Sequence, residues 1–154
     1  MEQRIVVIAG ASGLVGSAAI ARFAASGWKV IGLSRRAPAK MIPGVDYRCV
    51  DLLDPEGSRD ALRGLRQVTH LVYAAVNETP GDLVASWTDP THAERNGRML
   101  EHLLDALLPA ARRLQHVALV HGTKAYATHL LDRPLVPMRE SLPRPAHDDF
   151  YFRQ

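Results

Sequence analysis

Residues 4–16 read RIVVIAGASGLVG, a β-branched run that leads directly into three regularly spaced glycines. A short run of this kind is typical of a strand that is buried on both faces. Residues 14–25, which follow, are rich in Ala, Leu and Ile, and Gly27 fits the end of a helix. The segment therefore predicts a strand, a tight glycine turn and a helix in immediate succession.

The rest of the chain alternates in the same way between short apolar runs and helical patterns. Further strands are predicted at residues 29–33, 47–50, 70–74 and 116–120, and further helices at residues 55–65 and 91–113. The longest predicted helix carries leucines at helical spacing along one face. Strands that alternate with helices imply parallel βαβ units, so we expect an α/β fold with a doubly wound parallel sheet, the Rossmann fold.

Length and composition indicate the domain organisation. The chain has 154 residues, of which 47% are hydrophobic and 23% are charged, which excludes a disordered tail, a collagen-like repeat and a disulfide scaffold. At this length one core is expected, so we interpret residues 1–154 as one domain. Four prolines within residues 127–148 predict that this stretch is a surface loop. Because a doubly wound sheet commonly continues beyond its fifth strand, we expect the chain to be the front part of a longer fold.

The charge balance is weak evidence for a nucleic-acid partner, since 19 scattered basic residues against 16 acids give a net charge of +3. The uncharged residues 5–21 loosely resemble a signal peptide, but glycines interrupt them and Glu2 disturbs the basic start. The stretch is also short for a bilayer span of about 20 residues. The single Cys49 suits a reducing compartment. We therefore expect a cytoplasmic protein without nucleic-acid or membrane partners.

The three glycines, Gly10, Gly13 and Gly16, stand at the first predicted strand–helix junction. Glycines at such a junction let the backbone approach a pyrophosphate, whose charge the helix N-terminus stabilises. An ordinary flexible turn is the alternative interpretation, and the position within a βαβ unit favours dinucleotide binding. The GxxGxxG spacing is typical of the short-chain dehydrogenase superfamily.

The end of the second predicted strand indicates which dinucleotide is bound. A NAD-selecting domain usually places an acid there, which accepts hydrogen bonds from the ribose 2′-OH. This chain instead has Ser34, Arg35 and Arg36, which begin 18 residues after Gly16. Guanidinium groups form charge-assisted hydrogen bonds to a 2′-phosphate, although a solvated loop is the alternative for this pair. We therefore predict NADP(H) as the cofactor.

Several motifs together resemble the progesterone 5β-reductase and iridoid synthase-like family of atypical short-chain dehydrogenases/reductases. The matching segments are GASGLVG at 10–16, LSRR at 33–36, VDLL at 50–53, THLVYAAV at 69–76, NGRML at 96–100, HVALVHGTKAY at 116–126 and DFYF at 149–152. The chain departs from the family pattern at His121 and Ala125, where that pattern has Thr and His. The resemblance implies a dinucleotide-binding N-terminal portion, without the C-terminal part that covers the substrate.

The resemblance also implies that Tyr151 is the catalytic tyrosine and Lys124 its partner, with a surface lysine as the alternative for Lys124. The glycine loop and the strand ends are the predicted cofactor contacts: Gly10, Ser12, Gly13, Leu14, Val15, Gly16, Ser34, Arg35, Arg36, Asp51, Leu52, Ala74, Ala75 and Val120. The seven histidines show no metal-ligand spacing, so no metal site is predicted, and His121 is interpreted as structural or supporting.

Together, these expectations predict an NADPH-dependent oxidoreductase. It would reduce an α,β-unsaturated carbonyl compound, an enone, by 1,4-addition of hydride. A carbonyl reductase and a sugar-nucleotide epimerase or dehydratase are alternative functions, because the same glycine loop binds the cofactor in those enzymes. A non-catalytic NADP(H)-binding sensor is an alternative of another class. The expected partner is a small carbonyl or enone substrate. The oligomeric state is left open, with a homodimer as one alternative.

Overall fold

The structure of the protein is a computed structural model, which describes residues 3–78, 91–122, 126, 136–139 and 141–142. Within these residues the chain forms five strands and three helices. The strands are β1 (Ile5–Ala9), β2 (Lys29–Ser34), β3 (Asp46–Cys49), β4 (His70–Tyr73) and β5 (His116–Leu119). The helices are α1 (Leu14–Ala25), α2 (Pro55–Leu62) and α3 (His92–Leu107).

The five strands form one parallel sheet in the order β3-β2-β1-β4-β5. Within β1, Val7 lies opposite Ile31 of β2 on one side and opposite Leu71 of β4 on the other. This arrangement confirms the predicted doubly wound α/β fold. The direction of the strand order reverses between β1 and β4, and such a reversal opens a crevice at the carboxyl ends of the strands.

The core has two layers, one on each face of the sheet, because successive side chains of a strand point to opposite faces. Val6 and Ile8 of β1 pack on one face with Ile20 of α1. Val7 of β1 packs on the other face, in the cluster that contains Leu103 of α3. All five residues of β1 are buried, so the strand that precedes the glycine turn is held rigidly in the middle of the sheet.

Two predicted helices end earlier than expected, and each has a local cause. We expected a helix through residue 113, but α3 ends at Leu107, since Pro109 has no N–H to continue the hydrogen-bond ladder. We expected a helix through residue 65, but α2 ends at Leu62, and Gly64 follows with φ +80°. The strands differ from the predicted bounds by one residue at one or both ends.

Strand β5 lies at the edge of the sheet formed by the described residues, and most of it is exposed. Val117 is 40% exposed and Leu119 is 42% exposed, unlike the buried side chains of β1. Within the described residues, no helix combines the length and the apolar character that crossing a bilayer requires. The predicted loop at residues 127–148 lies mostly outside the described residues.

Candidate functional site

The glycine turn after β1 is closed by backbone hydrogen bonds. The N–H groups of Gly10 and Ala11 both donate to the carbonyl oxygen of Leu33 at 2.9 Å, which ties the turn to the end of β2. Gly10 has φ +90°, and a Cβ there would lie 2.6 Å from the carbonyl oxygen of Ala74. A Cβ on Gly16 would lie 2.0 Å from the carbonyl oxygen of Gly10. Both positions therefore require glycine, and their contacts bring the start of α1 against the strand ends.

The first turn of α1 offers backbone N–H groups at this edge of the sheet. The residue before the helix, Gly13, supplies no side-chain cap, and the first turn contains no acidic residue. Uncapped N–H groups and the positive end of the helix dipole attract an anion. Together with the close backbone approach at Gly10 and Gly16, they fit the pyrophosphate of a dinucleotide.

A cleft of about 140 Å³ opens between the glycine turn and the ends of β2 and β4. Its lining comprises Gly10, Ser12, Gly13, Leu33, Ser34, Arg35, Val50, Leu52, Ala74, Ala75, Val76 and Met99. We call it the first cleft. The lining of the first cleft is largely apolar, which suits contact with a flat aromatic ring. Among its described lining residues, Arg35 is the charged one. Among the described residues that line it, none is acidic.

A second cleft, of about 220 Å³, lies at the ends of β4 and β5. Its lining comprises Val15, Tyr73, Ala74, Ala75, Val76, Leu100, Leu119, Val120, His121 and Gly122. Residues 74–76 line both clefts, so the two form one groove across the carboxyl edge of the sheet. An extended ligand that begins at Arg35 and passes the start of α1 reaches the second cleft.

The groove contains most of the predicted cofactor contacts. Gly10, Ser12, Gly13, Ser34, Arg35, Leu52, Ala74 and Ala75 line the first cleft, and Val15 and Val120 line the second. Gly16 is buried beneath the turn, and Leu14 is 89% exposed at the start of α1.

Arg36 and Asp51 lie outside the lining of the groove. Arg36 is exposed, and its carbonyl oxygen accepts a hydrogen bond from the Ser34 hydroxyl at 2.6 Å, which orders the loop that carries both arginines. The carboxylate of Asp51 accepts a hydrogen bond from the Leu53 N–H at 3.0 Å. Asp51 therefore stabilises the turn after β3. The predicted catalytic residues Lys124 and Tyr151 lie outside the described residues.

A buried amide that the sequence analysis did not single out as a site residue holds the loop after β4. Asn96 of α3 is 2% exposed, and its Oδ1 accepts a hydrogen bond from the backbone N–H of Asn77 at 2.7 Å. Its Nδ2 donates to the carbonyl oxygen of His92 at 2.9 Å. Because Asn77 follows the residues shared by both clefts, this bond fixes the part of the backbone on which the groove rests.

The second cleft contains a tyrosine that is unsuited to proton transfer at neutral pH. Burial raises the pKa of Tyr73 to about 12. Its hydroxyl is buried and has no hydrogen-bond partner among the described residues. Apolar contacts to the groove from Leu33, Val50, Val76, Met99 and Leu100 were likewise not predicted as site residues, although all but Val76 belong to core-facing patterns in the sequence.

Comparison with known proteins agrees with this geometry. A family model described as the NAD dependent epimerase/dehydratase family matches residues 6–139. A 3-oxo-Δ(4,5)-steroid 5-β-reductase of Arabidopsis thaliana is 31% identical over 99% of this chain and 40% of its own length. An (S)-8-oxocitronellyl enol synthase of Nepeta racemosa is 29% identical, with the same coverage. The chain thus spans about two-fifths of the length of these curated relatives.

Solved structures share the fold. An aldohexose dehydrogenase of Thermoplasma acidophilum has a TM-score of 0.65 and 21% identity, over 81% of this chain and 51% of its own. A UDP-glucose 4-epimerase of Thermus thermophilus in complex with NAD has a TM-score of 0.56 and 29% identity, over 66% of this chain and 33% of its own. The predicted family resemblance is confirmed, whereas the enzymatic activity of the whole protein and the preference for NADP(H) stay predictions.

Proposed function

Because the chain belongs to the NAD dependent epimerase/dehydratase family, we propose that it forms the cofactor-binding part of an NADPH-dependent reductase of α,β-unsaturated carbonyl compounds. The observation that carries the choice of NADPH is the position of Arg35. Arg35 directly follows β2 and lines a cleft whose described lining contains no carboxylate to accept a hydrogen bond from a ribose 2′-OH. Arg35 and the neighbouring Arg36 suit a 2′-phosphate, which carries the charge that guanidinium groups bind.

The residues present fit a dinucleotide along the whole groove. Gly10 and Gly16 let the glycine turn pack tightly against the strand end and the start of α1, and the first N–H groups of α1 are available to a pyrophosphate. The apolar side chains of Val50, Leu52 and Met99 suit the flat adenine ring in the first cleft. The second cleft then receives the nicotinamide half. When bound, NADPH supplies a hydride to the substrate.

The substrate class rests on the chemistry of an enone and on the relatives. Hydride addition to the β-carbon of an enone leaves negative charge on the carbonyl oxygen. A positioned hydrogen-bond donor at such an oxygen is typically worth about 10²–10³ in rate. In this proposal Tyr151 donates to that oxygen, and Lys124 stabilises the charge and orients the tyrosine. The steroid reductase of Arabidopsis thaliana has a 3-oxo-Δ(4,5) steroid in its name, which is an enone.

A sugar-nucleotide epimerase is a second candidate, because the description of the family and the likeness to the UDP-glucose 4-epimerase favour it. The two candidates differ in what happens to the cofactor. A reductase consumes NADPH in proportion to product, whereas an epimerase returns its cofactor unchanged after each turnover. They also differ in where the hydride arrives on the substrate.

An assay of NADPH oxidation with cyclic and linear enones tests the proposal. NADPH deuterated at the transferring position of nicotinamide C4 is used, and the product is examined by mass spectrometry and NMR. We expect deuterium at the β-carbon of a saturated carbonyl product. Deuterium at the carbonyl carbon would identify a carbonyl reductase. Absence of turnover with every enone, together with interconversion of a UDP-sugar, would contradict the proposal and support the epimerase.

A further inference from the structure

The second cleft differs from the first in the chemistry of its walls. Its described lining contains apolar side chains, backbone and two titratable groups, Tyr73 and His121. No Arg, Lys, Asp or Glu is among these described residues, and Lys124 follows His121 by three positions, outside them. Within the described part of this cleft, Tyr73 and His121 are thus the side chains to consider for proton transfer.

Tyr73 and His121 differ in their access to water. The Tyr73 hydroxyl is buried, and burial raises the pKa of Tyr73 to about 12, so the phenol keeps its proton at neutral pH. His121 is exposed at the mouth of the cleft. Imidazole is the side chain that gains and loses a proton between pH 5 and pH 8. Among the described lining residues, His121 is thus the exposed side chain that carries an exchangeable ring proton.

The backbone holds His121 close to the sheet. The N–H of Val120 donates to the carbonyl oxygen of Tyr73 at 2.9 Å, which extends the pairing of β4 with β5 by one residue. His121 is the next residue, so its backbone is held next to the carboxyl edge of the sheet.

We propose that His121 is the proton donor of the second cleft, which supplies the proton that enone reduction consumes. This inference rests on the proposed function. Reduction of an enone takes up one hydride and one proton, and the hydride leaves an enolate on the substrate. The imidazolium N–H bond breaks as a new C–H bond forms at the α-carbon of the enolate, and the neutral imidazole then regains a proton from solvent. The overall reaction converts enone, NADPH and one proton into the saturated carbonyl compound and NADP⁺.

The proposal gives His121 a role that Tyr151 and Lys124 do not have. Those residues are proposed to hold the oxygen and its charge, whereas His121 replaces the proton that the reaction uses up. A general acid works in its protonated form. The rate is therefore expected to decrease as pH rises, and replacement of His121 is expected to weaken that dependence.

The first test locates the imidazole and needs no turnover. The ring signals of His121 are assigned by NMR by comparison with His121→Asn and are followed as NADPH is added to the wild-type chain. His116→Asn is the matched control, because His116 is exposed at the start of β5, whereas His121 follows the end of that strand. We expect NADPH to shift the ring signals of His121 and to leave those of His116 unchanged. Unchanged His121 signals at saturating NADPH would overturn the proposal.

The second test measures the proton donor itself. The pH dependence of kcat and of KM for an enone is compared in wild type, His121→Asn and His116→Asn, after melting curves have shown that all three are folded. General acid catalysis is typically worth about 10²–10⁴-fold. We expect His121→Asn to lower kcat at pH 6 by about 10²-fold, to flatten the pH profile and to change KM little. An unchanged kcat and pH profile would overturn the proposal while leaving the enone reductase intact.

The two tests separate this proposal from the function on which it rests. If the wild type turns over no enone, the proposed function fails, and the proton-donor role fails with it, whatever the NMR result. If enones are reduced and His121→Asn behaves as wild type, only the proton-donor role fails. A decrease in kcat that is confined to His121→Asn, together with a shift of its signals by NADPH, supports both.

Discussion

The backbone N–H of Asn77 donates to the Oδ1 of Asn96 at 2.7 Å, across 19 residues of sequence. Asn77 belongs to the segment after β4, and Asn96 is buried in α3. The bond fixes the loop whose preceding residues line both clefts of the groove. It thereby connects the stability of the fold to the shape of the cofactor site.

Replacement of Asn96 by Ala should weaken both folding and cofactor binding. The change leaves the part-buried N–H of Asn77 without its acceptor, which costs up to about 1–3 kcal/mol. Urea unfolding and NADPH titration measure the two effects. Arg98→Ala, on the exposed side of the same helix, is the control and should change neither by much, since its ion pair with Glu94 is exposed. Wild-type NADPH affinity in Asn96→Ala would show that the loop is held by other contacts.

Replacement of Gly16 by Ala should disrupt the start of α1. The added Cβ would lie 2.0 Å from the carbonyl oxygen of Gly10, so the glycine turn must move. We expect loss of NADPH binding together with a lower melting temperature. Gly27→Ala is the matched control, because Gly27 has φ +77° but no atom within 4 Å of a Cβ. Its backbone strain of about 1–2 kcal/mol should reduce stability and leave NADPH affinity unchanged.

Stability should fall as pH decreases below neutrality, because of His70. Burial, then the neighbouring charges of His116 and Arg4, lower the pKa of His70 from 6.5. Its ring also contacts Trp28 edge-on, and its Nδ1 lies 2.9 Å from the Thr69 hydroxyl. The unfolded chain therefore binds this proton more readily than the folded chain. Stability is complete above about pH 6.5 and decreases as pH falls through the folded pKa.

Urea midpoints between pH 7.5 and pH 5 check this dependence. His70→Gln should flatten the decrease in stability below pH 6.5, although it also removes the contact with Trp28. His116→Asn should flatten it less, because His116 is a smaller cause of the shift than burial. An equally steep decrease in His70→Gln would assign the pH dependence to other groups.

The central part of the fold could be predicted from the sequence because its signals are local. The β-branched run of β1, the three glycines and the alanine-rich α1 are contiguous, and each indicates its own structure. The late end predicted for α3 was wrong because the leucine spacing continues to Leu108, while Pro109 stops the ladder. The helix ends are thus set by single residues, which a pattern of regularly spaced apolar residues does not reveal.

The site could be predicted only in part, because some of its contacts are not local. Arg35 was predicted as a cofactor contact from its separation from the glycines along the sequence, and it does line the first cleft. The role of Asn96 depends on a partner 19 residues away, and a polar residue inside a helix gives no signal of such a bond. The roles of Lys124 and Tyr151 stay predictions, since both lie outside the described residues.

The preference for NADPH is expected to depend on Arg35 and Arg36 together. A hydrogen bond to a charged group contributes roughly 1.5–3 kcal/mol, so two contacts give about a tenfold to several-hundredfold preference after desolvation. Replacing both arginines by alanine should weaken NADPH binding by that factor and leave NADH binding nearly unchanged. Replacing Arg59 and Arg63 by alanine is the control, because it removes the same charge from α2 and the turn that follows, away from the groove.

The measurement that tests this account most directly is a calorimetric titration of the wild-type chain with NADPH and with NADH at one ionic strength. The position of Arg35 on a cleft whose described lining lacks a carboxylate predicts that NADPH binds at least about tenfold more tightly than NADH. The preference should disappear in the Arg35→Ala, Arg36→Ala double variant and persist in the Arg59→Ala, Arg63→Ala control. Equal affinities in the wild type, or tighter binding of NADH, would contradict the account.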